Sequence, residues 1–141
     1  QQAISLAKRQ QGSFAVLFID LNKFKPINDQ FGHAAGDMVL QQVGDRLRKA
    51  TRDSDAVSRL GGDEFLILLN NITLQQDASV FAAKLAALLQ QPYKLAHGTV
   101  TLSASIGIAY YPADADNVKA LIGHADAAMY RSKQLSCGPS G

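Results

Sequence analysis

The alternation of apolar and polar positions divides the chain into a regular series of elements. Residues 1–11 read as part of an amphipathic helix, with Ile4, Leu6 and Ala7 set against Lys8, Arg9 and glutamines. Phe14-Ala15-Val16-Leu17-Phe18-Ile19-Asp20 is almost unbroken in apolar character, the pattern of a central strand buried on both faces and ending on Asp20. A short helix is expected around Leu21–Gln30, with Phe24 and Ile27 inward and Pro26 near its start. Phe31–Gly36 reads as a turn. Asp37 then opens a helix to about Ala50 in which Leu40, Val43 and Leu47 share a face. Two apolar runs, Ala56–Leu60 and Phe65–Leu69, read as strands around Gly61-Gly62-Asp63-Glu64, and Gly-Gly is a strong hairpin signal. Leu74–Gln90 is the next helix, with Val80, Phe81, Leu85, Leu88 and Leu89 expected in the core and Pro92 as its stop. Tyr93–Leu95 reads as a short edge strand before a His97-Gly98 turn. Thr99–Tyr111 follows as one long strand, with alternation at Val100, Leu102, Ala104, Ile106 and Ile108. Pro112 ends it, and Asp116 or Asn117 caps a last helix to about Gln134.

The order is β-α-β-β-α-β-α, which contains the ferredoxin-like βαββαβ unit and predicts an α+β fold with a central antiparallel sheet flanked by helices. In that topology the first and third strands are antiparallel neighbours. The carboxyl end of the first, at Asp20, then lies beside the amino end of the third, at Asp63 and Glu64.

Composition narrows the setting. The chain has 141 residues, 47% of them hydrophobic and 18% charged, an ordinary balance for one globular domain. A net charge of +2, with scattered cations, is too small to argue for a nucleic-acid or membrane surface, and no nucleic-acid partner is expected. The single cysteine, Cys137, excludes a disulfide framework and suits a reducing compartment, so a cytoplasmic location is expected. No apolar run reaches the length of a membrane span, although a parent protein could still be membrane-anchored. The abrupt start and the tail at 136–141 suggest one domain over 1–135, cut from a longer protein.

Asp and Glu are depleted in strands, so the Asp63-Glu64 pair calls for a reason. One is simply a solvated, charged turn. The other follows from Asp20: carboxylates forced together repel unless a proton or a cation intervenes. A hard divalent ion with oxygen ligands answers that repulsion, and magnesium suits one or two carboxylates plus substrate phosphates. Such ions support phosphoryl or nucleotidyl transfer.

Phosphates need donors. The segment from Leu21 to Lys25 enters a helix directly after Asp20, and its free backbone N–H groups, with Lys23 or Lys25, could cradle them. Asn28 and Asp37 carry groups suited to a purine edge, since a carboxylate accepts two N–H groups of guanine. Each has a plainer reading, Asn28 as a helix C-cap and Asp37 as an N-cap. Lys133 is either a phosphate ligand or a cation near a helix C-terminus.

Taken together, Phe18-Ile19-Asp20-Leu21-Asn22-Lys23-Phe24-Lys25, Asn28-Asp29, Phe31-Gly32-His33, Gly36-Asp37, Arg59-Leu60-Gly61-Gly62-Asp63-Glu64-Phe65, Ser105-Ile106-Gly107-Ile108 and Ala125-Asp126-Ala127-Ala128-Met129-Tyr130 with Lys133 resemble the GGDEF domain of diguanylate cyclases. The resemblance runs from about residue 14 to 134. It implies a palm like that of nucleotide cyclases and polymerases. By the same resemblance Asp20, the Leu21 carbonyl, Asp63 and Glu64 hold two Mg²⁺ or Mn²⁺ ions, with Asp63 and Glu64 catalytic. Asn28 and Asp37 read guanine. Lys133, the amides near Lys23 and Phe24, and the side-chain-free Gly61-Gly62 turn receive GTP. The family condenses two GTP into cyclic di-GMP and two pyrophosphates, and needs two domains face to face.

Arg52-Asp53-Ser54-Asp55 matches the family's Arg-x-x-Asp site for inhibition by cyclic di-GMP, against the alternative of a polar loop. Asn22 stands where Asp is frequent, and Cys137 where a further basic residue often stands. The family's usual Asp-x-Leu-Thr-Gly-Leu-x-Asn-Arg motif ahead of the first helix is absent, as is the usual Gly-Arg-Asn ending with its closing strand. The motif style also resembles GGDEF domains joined to sensor or EAL phosphodiesterase domains. That keeps a second function open, a GTP- or cyclic di-GMP-binding module that regulates its neighbour. A cyclase acting on ATP is a third and is disfavoured by Asn28 and Asp37.

Overall fold

The computed structural model describes residues 13–72, 74–96 and 98–137; the helix expected over 1–11, His97 of the expected turn and the tail from 138 lie outside the described residues. The elements are β1 (Phe14–Asn22), α1 (Phe24–Phe31), α2 (His33–Ala50), β2 (Ala56–Gly61), β3 (Glu64–Asn70), α3 (Gln75–Leu89), β4 (Tyr93–Leu95), β5 (Gly98–Val100), β6 (Ser103–Tyr111) and α4 (Val118–Cys137). The main sheet has the order β2-β3-β1-β6, and β4 and β5 form a separate two-stranded ribbon. This is the expected α+β architecture, with the first and third main strands central and antiparallel.

Every residue of β1 is buried, because helices cover both faces of the sheet. On one side, Ala15, Leu17, Ile19 and Leu21 pack with Phe65, Ile67 and Leu69 of β3 against α1, α2 and α3. On the other, Phe14, Val16 and Phe18 pack with Ala109 and Tyr111 against Leu121, Ala125 and Met129 of α4. Gly107 lets α4 settle directly on the sheet. A Cβ there would stand 1.9 Å from the Ala125 carbonyl oxygen and 2.2 Å from the Met129 nitrogen.

Several elements differ from expectation. β1 runs two residues past Asp20, and α1 begins only at Phe24. The segment expected as a turn over Phe31–Gly36 is largely helical, since α2 starts at His33 behind Gly32, whose φ of 93° ends α1. In α3 Leu85 and Leu89 are buried as expected and Phe81 is partly buried, but Ala78 and Ala82 complete the inner face while Val80 and Leu88 point outward at 52% and 36% exposure. Spacings of four, three and four select that face, and Val80 and Leu88 fall off it. The strand expected over Thr99–Tyr111 is two strands, because β5 turns away to pair with β4 before β6 joins β1. Asn117, rather than Asp116, caps α4 by accepting from the Ala120 N–H at 2.8 Å. That helix extends three residues past Gln134, so Ser136 and Cys137 are helical rather than tail.

A clamp ties α2 to the far side of α3. The Arg46 guanidinium donates to the carbonyls of Leu88, Gln91 and Pro92 at 3.1, 2.8 and 2.6 Å. It also lies 3.8 Å from the centre of the buried Tyr93 ring. No helix among the described residues is long and apolar enough to cross a membrane.

Candidate active site

Strand register brings the acids together. Asp20 of β1 pairs directly with Glu64 of β3. Both lie on the α4 face, since residues two apart on a strand share a side and Phe18 and Leu66 pack there. Asp63 occupies the β2–β3 turn, where its carbonyl accepts the Leu21 N–H at 3.1 Å. The hairpin loop is Gly62-Asp63 rather than Gly61-Gly62, because Gly61 pairs with Glu64 across a register shift. Gly61 and Gly62 take φ of 150° and 49°, and a Cβ at either would meet open space. Arg59 braces the turn by donating to the Gly62 carbonyl at 3.1 Å.

From α4, Lys133 reaches the same place and donates from Nζ to Asp20 Oδ2 at 2.7 Å. Burial raises the Asp63 carboxyl above the usual range, and the Asp20 charge adds to it. Glu64 is raised likewise by burial, then by the charges of Asp20, Asp63 and Asp126, with Lys133 opposing. Among the described residues no three His, Cys, Asp or Glu side chains close into a metal-holding group. Mg²⁺ ordinarily takes only one or two carboxylates and completes its shell with water and phosphate oxygens. An oxygen-only, mutually repelling set therefore fits such an ion without a preformed cage.

Next to the acids, Lys23 is the N-cap of α1 with φ of 63°, and no side chain caps that helix end. The first-turn N–H groups from Phe24 onward thus have no side-chain partner at the cap. Asn28 lies inside α1, half-buried, with its side chain against Gly36 of α2. Its carbonyl accepts the Gly32 N–H at 2.8 Å, yet it is not the C-cap, which is Gly32. Asp37 is exposed in the second turn of α2, so it is not an N-cap either. Both plainer readings fall; Asn28 stands where α1 meets α2, and Asp37 is the residue after the Gly36 it packs against.

Arg52 and Asp55 are placed elsewhere. They precede β2, at the end of the sheet where Phe14 pairs with Asn70. Six strand residues separate that end from Asp20, about 20 Å at the usual rise. The Asp55 carboxylate accepts from Arg52 Nε and Nη2 at 3.1 Å each and from the backbone N–H of Arg52 and of Asn70 at 3.0 Å each. Arg52 Nη2 also donates to the Asn70 carbonyl at 2.6 Å. The pair borders a cleft of about 310 Å³ floored by Leu69, Ile72 and Phe81.

The family model described as "Diguanylate cyclase, GGDEF domain" matches residues 1–136. The chain belongs to the GGDEF family. The GGDEF domain is 46% identical over 133 residues to the bifunctional diguanylate cyclase/cyclic di-GMP phosphodiesterase MucR of Pseudomonas aeruginosa, covering 94% of this chain and 19% of that protein. It is 46% identical over 138 residues to the diguanylate cyclase TpbB of the same species, covering 97% of this chain and 32% of the relative. The chain thus spans a third or less of these curated relatives. The crystal structure of the GGDEF domain of YfiN (TpbB) from Pseudomonas aeruginosa superposes with a TM-score of 0.91 at 47% identity, over 95% of this chain and 84% of that one.

Three features of this GGDEF domain escaped the sequence reading. Asp126 of α4 adds its charge to Glu64. Asn22, buried beside the acids, donates to Ser103 Oγ at 3.0 Å and accepts from Ser105 Oγ at 3.2 Å. The run of small residues Ser103, Ser105 and Gly107 at alternate positions of β6 was the available signal for both a close helix and a polar pocket. The third is Gly36, which reserves space for Asn28.

Proposed function

We propose that this GGDEF domain is one half-site of a diguanylate cyclase that condenses two GTP into cyclic di-GMP and two pyrophosphates. The observation that carries the reading is the convergence of Asp20, Asp63, Glu64 and Lys133 at one end of the sheet, beside an uncapped helix N-terminus. Asp20, the Leu21 carbonyl, Asp63 and Glu64 would hold two Mg²⁺ or Mn²⁺ ions, which supply positive charge to the triphosphate when bound. The amides at Lys23 and Phe24 and the Lys133 ammonium bind phosphate oxygens. Asn28 and Asp37 receive the guanine edge, and the open turn at Gly61 and Gly62 lets the nucleotide lie against backbone. Asp63 and Glu64 are the catalytic carboxylates, placed to take the proton of the attacking 3′ hydroxyl.

One site holds one GTP, whose 3′ hydroxyl must attack the α-phosphate of another. A second copy of the domain presents that nucleotide, and dimerisation supplies the effective concentration and alignment. Arg52, with its guanidinium at the protein surface, and Asp55 form a product-binding site for cyclic di-GMP that restrains turnover. The substrate, the neighbouring sensor or EAL domains and the cytoplasmic location belong to the same reading.

The test is direct. Full-length dimeric protein incubated with GTP and Mg²⁺ yields cyclic di-GMP by chromatography, and Asp63→Ala abolishes the yield without unfolding the protein. Absence of product from the wild-type dimer sinks the reading. A second reading draws on the 39% identity to the Pseudomonas aeruginosa protein named cyclic di-GMP phosphodiesterase NbdA. In it the domain binds GTP without turnover and controls a phosphodiesterase; calorimetric binding with no product marks that case.

A further inference from the structure

Gly36 sits in the first turns of α2 without a positive φ, so the backbone does not need glycine there. Glycine is also a poor helix former, and alanine the best. Space explains it instead. A Cβ at residue 36 would stand 1.8 Å from Asn28 Oδ1, 2.9 Å from Asn28 Cγ and 3.2 Å from Phe24 Cζ. Every atom in that set belongs to a side chain, and the nearest is the polar tip of Asn28. Gly107 differs, since its Cβ would strike helix backbone. A methyl at 36 can therefore be accommodated by the fold only if the Asn28 amide moves and the Phe24 ring tip gives by a few tenths of an ångström. Among the described residues no hydrogen bond engages that amide, and its packing against Gly36 is what positions it there.

We propose that Gly36 is a positioning residue for base selection: its missing side chain keeps open the space in which the Asn28 amide lies, and so sets discrimination between GTP and ATP. The inference rests on the reading that Asn28 contacts guanine. Asp37 follows Gly36 directly, so the two base-reading groups are placed by one helical turn.

The experiment measures binding of 3′-deoxy-GTP and 3′-deoxy-ATP, which lack the attacking hydroxyl, to the full-length protein by calorimetry with Mg²⁺. Gly36→Ala is expected to weaken 3′-deoxy-GTP binding by about tenfold or more, the loss of one or two hydrogen bonds, and to change 3′-deoxy-ATP binding by less than about twofold. Asn28→Ala gives the same ratio, and the double variant loses nothing further. Gly44→Ala, in the same helix but with the flexible Arg48 guanidinium as its nearest neighbour at 3.2 Å, keeps wild-type selectivity. Retained selectivity in Gly36→Ala with lost selectivity in Asn28→Ala overturns the inference and leaves the reading of Asn28 standing. Retained selectivity in Asn28→Ala overturns both. If Gly36→Ala fails to fold, adding Asn28→Ala restores folding when the clash is with that amide; no restoration overturns the inference.

Discussion

Replacing Asp55 with alanine separates an anchor from a ligand contact. Its side chain is 1% exposed and accepts four hydrogen bonds, two of them from the backbone amides of Arg52 and Asn70. The two bonds to the Arg52 guanidinium count for little, since that side chain is 57% exposed and a surface ion pair contributes about 0.5 kcal/mol. The two backbone amides lose a carboxylate acceptor, at about 1 kcal/mol each, and the Asn70 amide is half-buried where water replaces it poorly. The sum is about 2–3 kcal/mol. With a urea dependence of about 2 kcal/mol per molar, the unfolding midpoint falls by roughly 1 M. Circular dichroism during urea titration reads it.

The effect is also pH-dependent. Burial by itself would raise the Asp55 carboxyl, but the Arg52 guanidinium and the two amides outweigh it and hold the group below the usual carboxylate range. A depressed native-state acid stabilises fully above its unfolded value, about 3.9, and that contribution disappears as pH falls through the native value. The gap between wild type and Asp55→Ala is therefore full at pH 7 and shrinks only below about pH 4. A loss under about 0.5 kcal/mol at pH 7, or a gap that widens on acidification, refutes the anchoring argument. If it holds, Arg52→Ala is the cleaner probe of the proposed product site.

Two further outcomes follow from the same geometry. Asp63 has its carboxyl raised by burial and by Asp20, so the ionised form opposes folding at neutral pH. Asp63→Asn should raise the melting temperature at pH 7, lose that advantage below the ordinary carboxylate range, and show none of the stabilisation by added Mg²⁺ expected of wild type; an unchanged melting temperature at pH 7 counts against the repulsion. Arg46→Ala removes three carbonyl contacts and the stack on Tyr93, and should cost about 2–4 kcal/mol in urea titration while leaving turnover per folded molecule unaltered. A cost below about 0.5 kcal/mol shows the clamp to be dispensable.

Much of this molecule was legible in its residues. The apolar run of β1 announced a strand buried on both sides, and the strand order brought Asp20 beside Asp63 and Glu64; the register then pairs it with Glu64. What escaped depended on packing rather than periodicity. In α3 the apolar residues outnumber the positions the sheet can cover, so Val80 and Leu88 could be assigned inward or outward only by seeing the neighbouring layer. The break between β5 and β6 arises because β4 competes for the same stretch, a long-range choice that alternation does not encode. Asn28 and Asp37 each looked equally like a helix cap, and their freedom from capping became visible only when Gly32 took that role. Asp126 gave no local signal, since its relation to Glu64 passes through the docking of a helix on a sheet.

That docking has a consequence for how the domain can evolve. Where α4 meets Gly107, backbone touches backbone, and there is no side chain to lengthen, shorten or branch. Most helix positions drift over generations by trading one contact residue for another. This one cannot, because every substitution at residue 107 can only wedge the layers apart. The reach of Lys133 to Asp20 is accordingly tied to a contact that no side chain can retune, and variation is left to the loops and outer helix faces around it.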